Sequence, residues 1–421
     1  MERHRNPPPV KSKPPPIRLL TAVPICDGHD SAISTINLEL IRHGIEVIYL
    51  GYHRPARDIA RAAVQEDVRA IGISSYNGGH VEFFAEVRKQ LRSMGGSDIG
   101  LFGGGGGTIT RADAELMQKH GVDRIFFSGT PLSDIVEFVK ETYGKASKSA
   151  TPGDKKPVDR RLGRLLTQAS LGLAAPRASN GRQRKRLPRL VLGITGPGGA
   201  GKTTLIDELV LRFLRANPRM RIAILSHDPS IVGKGALLGD RAAMFYSQDD
   251  RVFMRSLSTS GRAGGLAPET ERCLEILLHE PVDGNGFDVV LIETVGIGQE
   301  AVPFDKGSVD KTILVMSPDY GSRVQLQKIA MLDLADVVVV NKSDLAAARA
   351  ASSEIEHRVA LNHRDQQVFS TVAKRHGDAG VDALFSALCD SKNVGRALPA
   401  KNLRRVRFSG REQRASRKDV R

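Results

Sequence analysis

Val191-Leu192-Gly193-Ile194-Thr195, followed without a break by Gly196-Pro197-Gly198-Gly199-Ala200-Gly201-Lys202-Thr203-Thr204, is the stretch that decides the fold. An apolar five-residue run predicts a buried strand, and the apolar spacing from Lys202 through Leu214 predicts a helix. The loop between them satisfies G-x-x-x-x-G-K-[ST]. Its glycines let backbone N–H groups approach a chain of phosphates, and the positive end of the following helix favours their charge. In that geometry Lys202 reaches the β- and γ-phosphates, the Thr203 hydroxyl ligates Mg²⁺, and Gly199, Ala200, Gly201 and Thr204 complete the cradle.

Downstream, further strands are predicted at Arg221–Leu225, Val252–Met254, Val289–Ile292, Lys311–Met316 and Val337–Asn341, an α/β series. The last ends in Asn341-Lys342-Ser343-Asp344. This is the NKxD pattern of guanine-nucleotide-binding proteins, in which an Asp344 carboxylate accepts from N1–H and the 2-amino group of guanine. Adenine offers no such donor pair. Acids fall at the ends of other strands: Asp228 in Ser226-His227-Asp228-Pro229-Ser230, Asp240 in Leu238-Gly239-Asp240-Arg241, and Glu293-Thr294 before Val295-Gly296. Carboxylates and hydroxyls suit Mg²⁺, so Asp228, Asp240, Glu293 and Thr294 join Thr203 as candidate magnesium residues. Lys202 and Glu293 are the candidate catalytic residues, with Gln299 a second candidate for orienting the attacking water.

Upstream, strands are predicted at Ile17–Val23, Glu46–Leu50, Ala70–Ser74, Ile99–Phe102 and Arg124–Phe127. They alternate with helices at Ala32–His43, Ala56–Glu66, Val81–Met94, Arg111–His120 and Ser133–Thr142. Five strands so separated predict a parallel, doubly wound sheet, with ligands outside the carboxyl ends of its strands. Three unusual clusters lie at those ends: Asp27-Gly28-His29, Ser74-Ser75-Tyr76, and Gly103 through Gly107.

The order and spacing of these clusters resemble the cobalamin-binding domains of B12-dependent mutases and methionine synthase. Their pattern is DxHxxG, 41 residues, SxL, 26–28 residues, GG. Here residues 33–73 fill the first gap and 77–102 the second, while Ala32 and Tyr76 depart from the expected Gly and Leu. The resemblance implies that His29 is the lower cobalt ligand, that Asp27 orients its ring, and that Ser74, Gly103 and Gly104 receive the nucleotide tail of adenosylcobalamin. Neutral imidazole is a good ligand for such a metal, and a carboxylate on its second nitrogen fixes the tautomer.

In GPGGAGKTTL, SHDPS, GALLGDR, ETVGIGQ and KIAMLDLADVVVVNKSD, the second half resembles the metallochaperone GTPases that serve B12-dependent acyl-CoA mutases. The domain order is similar to the N-terminal half of the fused isobutyryl-CoA mutase family. The resemblance implies a flavodoxin-like cobalamin-binding domain followed by a P-loop GTPase domain, GTP as substrate, and a G domain that gates cofactor loading. It also implies a mutase substrate domain or subunit as partner, a homodimer, and a cofactor-delivering adenosyltransferase. Family members place a nucleotide-contacting arginine where Ala243 stands and an acid where Ala330 stands, which implies weakened hydrolysis with retained binding. A TIM barrel needs about 250 residues, so a truncated or split member is expected. A chaperone or small subunit acting in trans on a methylmalonyl-CoA-type mutase, and a cobalamin-binding regulator, are the alternatives. The residues that would select the acyl-CoA lie outside this sequence.

The expected divisions are a Pro-rich disordered 1–16, the cobalamin domain at 17–144, a basic linker at 145–188 with a helix at 158–172, the G domain at 189–395, and a basic tail at 396–421. The net charge of +15 is concentrated outside the domains. Residues 1–18 hold five Lys/Arg against one acid, 145–190 thirteen against two, and 396–421 ten against two, leaving −8 for the remainder. No basic–aromatic pattern accompanies the charge, so solvated tails are expected rather than nucleic-acid binding. No apolar run reaches membrane-span length, and the N-terminus has no signal-peptide core. Cys26, Cys273 and Cys389 are too dispersed for a disulfide framework. A cytoplasmic protein is expected.

Overall fold

The structure is a computed structural model describing residues 16–25, 27, 31–145, 157–172, 188, 190–230, 234–261, 264–280, 282, 286–296, 303–304, 307–320, 330–361 and 365–390. The first unit runs β1 (Arg18–Ala22), α1 (Ser31–Arg42), β2 (Glu46–Tyr49), α2 (Ala56–Gln65), β3 (Ala70–Ser74), α3 (His80–Ser93), β4 (Gly100–Gly104), α4 (Arg111–Lys119), β5 (Arg124–Phe126) and α5 (Leu132–Tyr143). The strands are parallel, in the order β5-β4-β3-β1-β2. Side chains alternate across the sheet. Leu20, Ile48 and Ile71 pack with Ile59 and Phe84 of α2 and α3, whereas Leu19, Val47 and Phe102 pack with Leu40 of α1 and Val139 of α5. The chain reverses direction of travel between β1 and β3, and at such a switch point the diverging loops leave a crevice.

The second unit follows helix α6 (Val158–Ser170). It comprises β6 (Leu190–Thr195), α7 (Lys202–Ala216), β7 (Ile222–Asp228), a short strand β8 (Ala236–Leu238), α8 (Asp240–Ala243), β9 (Val252–Ser258), α9 (Thr270–His279) and β10 (Val289–Glu293). It continues through β11 (Lys311–Met316), α10 (Ala330–Leu334), β12 (Val337–Val340), α11 (Ala348–Ala360), β13 (Gln367–Ser370) and α12 (Ala379–Asp390). Seven parallel strands lie in the order β13-β12-β11-β6-β10-β7-β9. The crevice here opens between β6 and its neighbours, where the phosphate loop begins.

The sequence misses β8 and β13, which are too short to carry a periodic signal, and stops β9 at Met254. The strand continues to Ser258 because its pairing with β7 runs on to Asp228. The expected solvated linker needs correction at α6. Arg160 and Arg164 are buried, the first donating to Asp67 and Asp98 at 2.7 and 2.8 Å and the second to Asp98 at 2.7 Å. Leu162, Leu166 and Ala169 pack against Val191, Ala223 and Leu277 of the second unit. Part of the linker charge is therefore neutralised inside the molecule, because the helix has an apolar face to bury.

Candidate functional site

Two sites are set up by the two crevices. In the first unit, α1 and α5 bridge the sheet over a cavity of about 490 Å³, walled by Ile33, Ile36, Ile135, Phe102 and Phe126 and floored by Thr21, Gly72 and Ile73. Ser74, Gly103 and Gly104 line it, as do Gly105 and Gly106, so three of the residues singled out in the sequence converge on one space. The glycines are also demanded by the protein itself. A Cβ on Gly103 would sit 2.4 Å from the Ile73 carbonyl oxygen and 2.5 Å from the Phe84 ring. Any side chain there would clash with β3 and Phe84 of α3 and displace the strand end that lines the cavity.

Asp27 is fully buried at the mouth of this region. Its carboxylate accepts from the backbone N–H of Tyr76 and, at 3.3 Å, of Asn77. It thereby ties the loop after β1 to the loop after β3, a role not visible in sequence. His29 and Gly28 lie outside the described residues, and so does Gln299. The cavity fits the group implied by the family resemblance. It is mainly apolar, edged by several hydroxyls, Ser74 and Thr21 among them, and by a run of glycine backbone, and it is roomy enough for an aromatic nucleotide base.

In the second unit the loop 196–201 wraps the start of α7. Lys202 is buried, its ammonium donating to the carbonyls of Gly196 at 3.0 Å and Pro197 at 3.2 Å. Burial holds its pKa below the usual lysine value, against the pull of Glu293 and Asp240. Thr203 Oγ1 donates to Glu293 Oε1 at 2.7 Å. Asp240 accepts from Ser226 Oγ. His227 holds the end of β10 in place, with Nδ1 2.7 Å from the Glu293 carbonyl and Nε2 2.8 Å from Thr270 Oγ1. Burial lowers its pKa to about 4, so the ring is neutral. Thr294 donates to Thr195 Oγ1 at 3.0 Å, one step behind the carboxylates. Ala243 ends α8 exposed to solvent.

Asp228, Asp240 and Glu293 form one electrostatic group. Burial, then the charge of Asp240, pushes Asp228 up to about 8 and Glu293 well above the carboxylate range; burial also raises Asp240. Asp228 Oδ2 and Glu293 Oε2 are buried without a hydrogen-bond partner among the described residues. Unsatisfied carboxylate oxygens beside a phosphate loop fit a divalent cation, which would reverse this repulsion. Among the described residues no three His, Cys, Asp or Glu converge closely enough to cage an ion alone.

At the far end of the crevice, Asn341 is buried and acts as a staple. Its Nδ2 donates to the Ala200 carbonyl at 2.9 Å, and its Oδ1 accepts from Thr371 Oγ1 at 3.1 Å and Ala373 N at 3.0 Å. Lys342 takes a φ of +58°, which turns the chain so that Asp344 reaches the surface. Ser343 caps the turn, donating to the Val340 carbonyl at 2.7 Å. Lys374 pairs with Asp344 at 2.6 Å and holds its carboxyl below the usual range. Thr371, Ala373 and Lys374 escaped the sequence reading. Their only signal is a short segment, Ser370-Thr371-Val372-Ala373-Lys374, after a strand too brief to stand out.

The folds and sites together define a protein that joins a P-loop guanine-nucleotide unit to a flavodoxin-like unit with a glycine-edged cavity at its switch point. Comparison with known proteins makes this specific. Residues 180–417 match the family described as methylmalonyl Co-A mutase-associated GTPase MeaB, and residues 17–136 match the B12 binding domain. The chain belongs to the MeaB family of GTPases and carries a B12-binding domain ahead of the GTPase. It is 35% identical over 404 residues to a fused isobutyryl-CoA mutase of Geobacillus kaustophilus, covering 90% of this chain and 36% of that protein. A fused isobutyryl-CoA mutase of Cupriavidus metallidurans is 38% identical over 411 residues, covering 91% and 36%. The methylmalonic aciduria type A homolog, mitochondrial, of Mus musculus is 32% identical over 215 residues, covering 50% and 49%. The chain therefore spans about a third of the fused relatives' length and matches their N-terminal portion, with cobalamin and GTP as its ligands. No helix among the described residues is long and apolar enough to cross a membrane.

Proposed function

We propose that this chain holds adenosylcobalamin in its first unit and hydrolyses GTP with Mg²⁺ in its second, the hydrolysis serving to load or edit the cofactor of an acyl-CoA mutase. One observation carries the reading: a glycine-edged cavity and a carboxylate-lined phosphate loop stand in one chain, in the order found in the fused relatives. Asp27 positions the loop that presents His29, the cobalt ligand, while Ser74, Gly103 and Gly104 receive the nucleotide tail. Bound adenosylcobalamin supplies radical chemistry for carbon-skeleton rearrangement. The reaction is isomerisation of isobutyryl-CoA and n-butyryl-CoA, on a substrate domain or subunit that binds this chain.

On the nucleotide side, Gly199, Ala200, Gly201, Thr203 and Thr204 hold the phosphates and Lys202 neutralises charge on the β- and γ-groups. Asn341, Lys342, Ser343 and Asp344 shape the guanine pocket. Thr203, Asp228, Asp240 and Glu293 hold Mg²⁺ directly or through water, and Thr294 supports Glu293 from behind. Glu293 also orients the attacking water. A homodimer, a cofactor-delivering adenosyltransferase and a cytoplasmic setting complete the proposal. The family description favours a second reading, in which the chain serves a separate methylmalonyl-CoA-type mutase in trans. Phosphate release from GTP and ATP, with and without Mg²⁺, tests the nucleotide half. Magnesium-dependent turnover of GTP alone, lost in Lys202→Ala, is expected; equal turnover of ATP would contradict it. Adding an isobutyryl-CoA-type or a methylmalonyl-CoA-type substrate subunit then separates the two readings by which isomerase activity appears.

A further inference from the structure

Strand β8 leaves the nucleotide-binding unit and joins the other sheet. It pairs in parallel with β2 as a sixth strand, Ala236 opposite Glu46, Leu237 opposite Val47 and Leu238 opposite Ile48. Ala236 and Leu238 are buried in the same cluster as Leu20, Ile48 and Phe84. The approach to the strand is equally tight. Gly235 N–H donates to the Ile41 carbonyl at 2.9 Å, and a Cβ on Gly235 would stand 1.8 Å from the Ile45 carbonyl oxygen. The segment that crosses over is bounded by two carboxylates of the nucleotide site, Asp228 before it and Asp240 after it.

The residues just beyond Asp240 are anchored in the first unit as well. Arg241, fully buried, donates to Glu66 Oε1 and Gln65 Oε1, each at 3.1 Å. Glu66 also accepts from Arg18, and from Ser256 N and Oγ. Next, the Ala242 carbonyl accepts from the Arg54 guanidinium at 2.7 Å. Arg54 is buried, and its own backbone N–H donates to the Val23 carbonyl at 3.0 Å, while Pro24 bridges to it in strand geometry. Val23 and Pro24 lead directly into Asp27. A single residue, through its guanidinium on one side and its backbone N–H on the other, therefore spans from two residues past Asp240 to four residues before Asp27.

We propose that Arg54 is the joint through which the nucleotide site and the cobalamin site sense one another. This rests on the functional reading above, since it presumes both ligands. When the phosphates and cation draw Asp240 in, Ala242 moves with it. The firm pairing of β8 with β2 leaves Arg54 as the group that passes the change to the loop after β1. By linkage, cobalamin must then alter nucleotide affinity by the same factor that nucleotide alters cobalamin affinity. Spatial intermediacy alone does not establish such a route; a change in coupling energy does.

The test is a coupling cycle on the whole chain. Adenosylcobalamin affinity is measured alone, with Mg²⁺–GDP, and with a Mg²⁺–GTP analogue that resists hydrolysis, in wild type, Arg54→Ala and Arg54→Gln. Wild type is expected to show a change of at least about 5-fold between nucleotide states. Arg54→Ala is expected to reduce that factor to near one while each ligand alone binds within about 3-fold of wild type. Arg54→Gln, which keeps an N–H donor for Ala242, should recover part of it, which a merely structural role would not explain. Should Arg54→Ala fail to fold, Arg54→Met carries the same expectation, because it keeps the aliphatic stem and has no N–H donor for the Ala242 carbonyl. Unchanged coupling in a folded variant that binds both ligands would overturn the inference. Absence of binding by wild type would overturn the functional reading beneath it.

Discussion

The two sites use opposite physics on the same scaffold. The first-unit cavity is walled by Ile, Phe and Leu and edged by glycine backbone, so its selectivity comes from shape. The second-unit crevice gathers Lys202, Asp228, Asp240 and Glu293 in a buried space whose charges do not balance without a ligand. An apolar cavity can stand ready at little electrostatic cost, whereas a cluster of buried acids is completed only by cation and phosphate. The comparison implies that the first site is lost by filling it and the second by changing its charge.

Lys202→Ala should give the largest effect. Removing a group aimed at developing phosphate charge costs on the order of 10²–10³ in turnover; phosphate-release kinetics check it, and cobalamin affinity should stay within a few-fold. Gly103→Val should do the reverse. It should lower unfolding stability by ~1–3 kcal/mol, as overpacking does, and remove cobalamin binding while GTP still binds, read by denaturant titration and ligand spectra. If Gly103→Val instead spared cobalamin, selectivity by shape would be wrong.

Asp344→Asn removes a charge-assisted acceptor for guanine, a contribution of about 1.5–3 kcal/mol. GTP affinity should fall about 10–100-fold while xanthine nucleotides, whose 2-oxygen accepts from the new amide, bind more tightly, measured by calorimetry. A pH effect distinguishes the units more gently. Burial raises Asp207 to about 7, and its carboxyl accepts from Tyr246 N–H at 2.8 Å. With the folded pKa above the unfolded value, the unfolded chain holds fewer protons between pH 4 and 7. The stability this group contributes is therefore present at low pH and lost as pH rises through 7. The midpoint of thermal unfolding should fall between pH 4 and 7, and Asp207→Asn should flatten that slope. Smallest is Thr110→Ala, which opens the capping box at the start of α4. It should cost about 1 kcal/mol and leave both ligands untouched.

Legibility in the sequence followed the length of each signal. Both parallel sheets could be read because their strands are apolar runs separated by helical spacing, and the phosphate loop could be read because a strand, glycines and a helix must occur together. Ser74, Gly103 and Gly104 were singled out through the resemblance to cobalamin-binding domains, and they line one cavity. What escaped was carried by tertiary contacts. Three residues, Ala236–Leu238, give no period, and nothing local says that they pair with a strand almost two hundred residues earlier. The arginines of α6 read as a solvated charge run because their partners, Asp67 and Asp98, lie far away in sequence. Asn341 was read as part of a guanine motif, yet its side chain is occupied in joining Ala200 to Thr371 and Ala373.

The central claim, that cobalamin and GTP occupy these two sites of one chain, is tested most directly by an ultraviolet–visible titration with adenosylcobalamin, with and without GTP and Mg²⁺. The expected result is a shift to the base-off spectrum that is abolished in His29→Ala and altered by nucleotide. An unshifted spectrum under every condition, or an identical shift in His29→Ala, would contradict the account.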